Sequence, residues 1–188
     1  MADDAYMSFQ TYDGTWLASE SQVDFSQDKA ATFKDKFTKG KVFEVTSPGF
    51  GIEQTLNIGS STKGIGAGKV TFNEFSITRK VETSSTTMFK MACSGTPFQQ
   101  VNLGLRKASG GTTAAEFFLL FIFSLVGIKG ITFSNADDGP EEEITFNYGG
   151  LCMQYRVQNQ DGTFGSIIPG GWNQVTNTNW DTATPIPA

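Results

Sequence analysis

Few residues in this chain could do chemistry. The 188 residues include no histidine, which removes the commonest general base and the commonest metal ligand. A serine, threonine or cysteine nucleophile would then need a lysine or a carboxylate beside it, and no local pattern pairs them. A carboxylate pair drawn from distant parts of the chain stays open. The stretch Gly64-Ile65-Gly66-Ala67-Gly68-Lys69 looks at first like a phosphate loop. The full pattern needs Gly where Lys63 stands and Ser or Thr where Val70 stands. The dinucleotide fingerprint fails as well, because Lys69 occupies its last glycine position. Asp137, Asp138, Glu141, Glu142 and Glu143 cluster around a turn but lack the alternating spacing of a calcium loop, so they read as a solvated acidic turn. Cys93 and Cys152 are too few for a disulfide scaffold and read as reduced, buried, inert thiols. Cys152 also falls opposite Leu151 and Met153, a position that suits an interface. The expectation is a non-enzyme with no cofactor and no metal.

Composition narrows the partners. The net charge is −5, and no run of four basic residues offers a stripe for phosphates, which disfavours nucleic acid. Charged residues make up 18%, below the usual quarter, which hints at surface covered by neighbouring subunits. Seventeen phenylalanines supply a packed core, and the length suits one domain. The acidic start, Met1-Ala2-Asp3-Asp4, has no apolar segment behind it, so no cleaved signal peptide is expected. The longest apolar stretch, Phe117–Val126, is half of what a membrane helix needs.

The elements that would position these residues are mostly strands. Val101, Leu103 and Leu105 alternate with polar or small residues, as do Ile144, Phe146 and Tyr148, and then Leu151, Met153, Tyr155 and Val157. Gly149-Gly150 marks either a bend in one long strand or a turn between two. Further strands are predicted over Tyr6–Tyr12, Val42–Ser47, Ile52–Ile58, Val70–Lys80 and Glu116–Val126. The last is apolar on both faces, with Phe117, Leu119, Phe121, Phe123 and Leu125 on one and Phe118, Leu120, Ile122 and Val126 on the other. One face would meet the core. The other must meet a helix or another subunit. One short helix is expected after Ser84 and Ser85, with Met88, Met91 and Ala92 at helical spacing and Gly95 and Pro97 ending it. Turns are expected at Asp13-Gly14, Gly110-Gly111, Asp137–Pro140, Asp161-Gly162 and Pro169-Gly170-Gly171. Gly59–Gly68 (GSSTKGIGAG) reads as a long hairpin tip, and the chain after Trp172 as a loosely ordered tail.

From Phe75 the sequence runs FSITRKVETSSTTMFKMACSGTPFQQVNLGLRKASGG. A strand ending in Lys80, then Glu82 with Ser84 and Ser85, then a helix over Met88–Cys93, resembles the signature of the Hcp family of type VI secretion systems. Glu82 stands where Asp is usual, and Thr86-Thr87 where Pro is frequent. Tyr6–Phe9 with Asp13-Gly14, Gly68-Lys69-Val70, the stretch EEEITFNYGGLCMQYRVQNQDG and Gly171-Trp172-Asn173 resemble other family blocks, whereas Lys29–Lys41 fits less well.

The resemblance implies an all-β fold, two sheets packed as a flattened β-barrel with one short α-helix. It implies an Hcp-like domain over 1–172 followed by a tail over 173–188. It further implies hexameric rings that stack into a secreted tube, with sheath, spike and effector proteins as partners and no nucleic acid or membrane insertion. Synthesis would be cytoplasmic, with export to the extracellular space or a target cell. Gly59, Ser60, Ser61, Thr62, Lys63, Gly64, Ile65, Gly66, Ala67 and Gly68 become the candidate ring-stacking loop. Phe117, Phe118, Leu119, Leu120, Phe121, Ile122 and Phe123 become the candidate subunit interface. Two other readings stay open, a tail-tube protein of a phage or another contractile injection system, and a monomeric small-ligand-binding β-barrel.

Overall fold

A computed structural model describes residues 4–26, 33, 35–57, 66–107 and 116–188. The chain forms eleven described strands and one described helix: β1 (Asp4–Thr11), β2 (Phe43–Glu44), β3 (Thr46–Gly49), β4 (Ile52–Asn57), β5 (Gly66–Phe72), β6 (Phe75–Lys80), α1 (Ser85–Ser94), β7 (Phe98–Lys107), β8 (Glu116–Ala136), β9 (Gly139–Gln158), β10 (Phe164–Asn173) and β11 (Thr178–Asn179). The expected all-β fold is what is found, with one short helix among the described residues, although the described strand pairing leaves the sheets unclosed.

All pairings are antiparallel. The main sheet runs β11–β10–β9–β8–β7–β1–β2. Strand β9 serves two layers. Its first half, Glu141–Phe146, pairs with β6, which carries β3 on its other edge. Its second half, from Gly150 onward, pairs with β10. Gly149-Gly150 is thus a point inside one long strand. Among the described residues, strands β4 and β5 pair only with each other.

Several expected boundaries move. Val42–Ser47 divides into β2, which pairs with β1, and β3, which pairs with β6. Val70–Lys80 is two strands in different sheets, separated at Asn73-Glu74, because β5 turns back on β4 while β6 joins β9. The apolar strand does not stop at Val126 but continues to Ala136 as a polar extension paired to β9. Pro169-Gly170-Gly171 lies inside β10 rather than in a turn. There the small residues leave room: a Cβ on Gly171 would sit 2.6 Å from the Trp180 carbonyl oxygen.

The core is two phenylalanine-rich clusters on opposite faces of the main sheet. In the first, Phe75 stacks on Phe123 (centroids 4.4 Å apart) and on Phe146 (4.7 Å), with Met7, Phe9, Phe43, Val101, Met88 and Met91 around them. In the second, Phe37 stacks on Phe117 at 4.5 Å, beside Tyr6, Phe25, Phe33, Leu120, Ile122, Trp180 and Ile186. Offset aromatic pairs at these spacings add to plain area burial.

Strand β8 feeds both clusters, and its alternation breaks twice to do so. Phe118 is an extra residue between the pairs Leu105–Leu119 and Arg106–Phe117, which turns Phe117 toward Leu120 and Ile122. Leu125 has φ +53°, which sends both Ser124 and Leu125 to the second face and returns Val126 to the first.

Candidate functional site

The family motif builds a buried ionic brace. Lys80, the charged end of β6, is exposed and donates to the Asp138 carbonyl at 3.0 Å. The buried cation is its neighbour, Arg79. On β6 the residues Phe75, Ile77 and Arg79 share the inward face, so the guanidinium enters the fold behind two apolar side chains. It is 2.5 Å from the Glu142 carboxylate and donates to Glu82 at 2.8 Å, to Ser84 Oγ at 3.1 Å and to Met88 Sδ at 3.3 Å. It also lies 4.8 Å from the Phe43 ring centroid. Ser85 Oγ donates to Glu142 and accepts from the Glu82 backbone N–H. The two serines therefore tie the start of α1 to the brace rather than capping it, and Ser84 makes no side-chain cap bond. Glu142, expected in a solvated turn, is fully buried; the bulge at Lys129 and the pairing with β6 carry it under the helix, while Asp138 stays open.

Glu82 links the brace to the segment that covers the second cluster. Its Oε2 accepts from the Glu20 backbone N–H at 2.9 Å. Burial pushes the Glu82 carboxyl above the usual range, against the opposing pull of Arg79. The Glu20 carboxylate accepts from the Thr83 side chain and backbone, which hold its carboxyl below the usual range. Two carboxylates, Glu82 and Glu142, share one guanidinium, and Glu142 Oε2 and Arg79 Nε have no partner among the described residues. This arrangement holds structure together.

The candidate interface strand divides in two. Phe117, Leu120, Ile122 and Phe123 are buried within the chain itself. Its second face is covered from within the chain. Phe25, Phe33, Phe37 and Val42 cover it from one side, and Trp180 and Ile186 from the other. The tail expected to be loosely ordered is pinned there. Ile186 N–H donates to Ser124 Oγ at 2.9 Å, and Trp180 Nε1 donates to the Thr184 carbonyl at 2.8 Å. Phe118, Leu119 and Phe121 are only partly buried.

On the first face the cover runs out. Beyond Phe123 and Leu151, the paired rows Phe121–Met153–Gly170 and Leu119–Tyr155–Ile168 point the same way as the first cluster but lie past its second layer. Met153, Tyr155, Val157, Ile168 and Trp172 are exposed. Where this face meets Phe50, Ile52 and Phe72 it forms an apolar groove of about 360 Å³.

Residues 59–65 of the candidate stacking loop lie outside the described residues, while Gly66, Ala67 and Gly68 open β5. Cys93 is exposed on α1, contrary to the expected burial. Cys152 is fully buried by the tail rather than placed at an interface, and burial pushes its thiol up. Among the described residues no helix is long and apolar enough to cross a membrane.

A family model described as "Type VI secretion system effector, Hcp" matches residues 34–155, so the chain belongs to that family. Protein hcp1 of Pseudomonas aeruginosa is 29% identical over 107 residues, covering 56% of this chain and 65% of that protein, so the matched segment spans just under two thirds of the curated relative. The fold is similar to a solved type six secretion system protein, with a TM-score of 0.74, 24% identity, and 95% of this chain and 100% of that one covered. It is also similar to Hcp1 from Salmonella typhimurium, with a TM-score of 0.67, 20% identity, and 96% and 100% covered.

Proposed function

We propose that the chain is a structural subunit of the type VI secretion inner tube and does no catalysis. Six copies close a ring, rings stack into a tube, and the tube leaves the cell with effectors in its lumen. Sheath, spike and effector proteins are the partners this reading assigns. The observation that carries it is the family match across residues 34–155, whose strands form the core of the fold. The exposed apolar face supports it further, since a lone chain gains nothing by wetting Ile168 and Trp172. The stacking contact is assigned to Gly59–Gly68, which joins β4 to β5, strands that pair with no others among the described residues. Stacking through a polar loop would be weaker than ring closure through apolar strands.

Light scattering after gel filtration tests the ring: the expected mass is about six times 20.4 kDa. A stable monomer at micromolar concentration would refute it and favour a ligand-binding barrel using the apolar groove.

A further inference from the structure

We propose that the second face carries a peptide socket shaped for an isoleucine between two prolines, and that residues 182–188 fill it as a strap that opens and recloses without unfolding the sheet. The proposal stands apart from the tube-subunit reading, because strap and socket lie on the sealed face of β8 and β9.

The socket grips Ile186 by its backbone and its side chain together. The Ile186 N–H donates to Ser124 Oγ at 2.9 Å, and its carbonyl accepts from the Tyr12 hydroxyl at 2.8 Å. Ser124 Oγ itself donates to the Gln99 carbonyl at 3.0 Å, so its proton is committed and a lone pair faces the strap. A buried hydroxyl in that state is satisfied by an N–H, which an extended backbone supplies. The isoleucine side chain enters a pit over Gly150, where a Cβ would stand 2.7 Å from Ile186 Cδ1 and 3.3 Å from the Trp180 ring. Trp180 walls the pit, and its Nε1 donates to the Thr184 carbonyl at 2.8 Å.

The β8 backbone is distorted where this socket forms. Leu125 holds φ +53°, which a residue with a side chain rarely adopts, and that turn presents Ser124 to the strap. The strap is lightly held by comparison. Among residues 182–188 only Ile186 is buried, while Thr182, Thr184, Pro185, Pro187 and Ala188 are exposed. One apolar anchor and a few hydrogen bonds oppose the ordering of the whole segment, which places it at the low-stability end of the fold. Pro185 and Pro187 bias Thr184 and Ile186 toward extended backbone, so a peptide of this sequence is partly preformed for the socket. The ligand class is thus an extended peptide with an apolar residue between prolines, and the occupant is the chain's own tail.

The test has two arms, both on the full chain. Hydrogen–deuterium exchange of the unaltered protein follows the Ile186 amide. Residues 182–188 should exchange about a hundredfold or more faster than β8 and β9, with little dependence on urea below the unfolding transition. Exchange of Ile186 at the rate of global unfolding would overturn the strap. In the second arm Ile186→Asp releases the anchor, and the Trp180 indole N–H signal reports on the socket by NMR. That signal should move in the variant and return toward its wild-type position when a synthetic peptide of residues 182–188 is added. The same peptide carrying Ile186→Asp should have no effect. A folded variant whose Trp180 signal ignores the wild-type peptide would overturn the socket. Should Ile186→Asp unfold by circular dichroism, Ile186→Ala carries the same comparison, and the exchange arm needs no variant. Neither arm bears on the tube reading, which the mass measurement decides.

Discussion

The two faces of the sheet formed by β7 to β10 are made from similar residues but meet different fates. On one face Phe117, Leu120, Ile122 and Cys152 are sealed under chain from both ends of the sequence. On the other, Phe123 and Val101 on β8 and β7 are sealed, while Met153, Tyr155 and Ile168 on the neighbouring β9 and β10 stay in water. Residue type does not separate the two. The reach of the covering layer does. Phe25, Phe33, Phe37 and Val42, with Trp180 and Ile186, cover the second face, whereas the layer over the first, which includes β6 and α1, stops short of Met153, Tyr155 and Ile168. The second face therefore serves stability within one chain, and part of the first stays open.

Removing the brace should cost most. Arg79→Met leaves Glu142 buried without its cation, and breaking a buried pair this way typically costs about 3–5 kcal/mol. The double variant Arg79→Met, Glu142→Leu should recover much of that loss in chemical denaturation. If the single variant is as stable as wild type, the brace does not hold α1 and residues 17–26 in place.

A second pair of variants tests sealed against open directly. Trp180→Ala, on the sealed face, should lower stability by about 3 kcal/mol without changing assembly below the melting temperature. Ile168→Ser, on the open face, should change monomer stability by less than about 0.5 kcal/mol. Equal losses would mean that the two faces do not differ as described.

The smallest effect concerns pH and sharpens the link between brace and cover. The folded-state pKa of Glu82 is raised, so its charged form is penalised by folding. In the window from its unfolded value of 4.5 up to its raised folded value, the folded state binds more protons, and stability should fall as pH rises. Around Glu82 stand Arg79, Glu20 and Glu142. Glu20, with its lowered pKa, contributes the opposite slope below its unfolded value. Glu82→Gln should flatten the Glu82 window selectively in urea titrations between pH 4 and 7. An unchanged slope would show that the Glu82 carboxyl does not titrate differently on folding.

Much of this was readable from residue pattern. Period-two alternation located β7, β9 and the apolar half of β8, and the Ser84–Pro97 punctuation located α1, because local backbone preference and side-chain periodicity act within a few residues. The same alternation on Phe75-Ile77-Arg79 points Arg79 inward, beside the exposed Lys80 of the motif. Glu142 was not legible, because an acidic turn says nothing of which carboxylate a distant arginine will pull under a helix.

The chain's own sequence thus determined most of its described strands and the short helix α1. Only the tertiary structure decided which apolar residues stay wet. That choice depends on register and on coverage by segments far away in sequence. Ile186 reaches Ser124 across 62 positions, and a Cβ on Gly150 would come within 2.7 Å of that isoleucine. A strand that is apolar on both faces requires two covers, and only folding shows that this chain supplies one in full and the other in part.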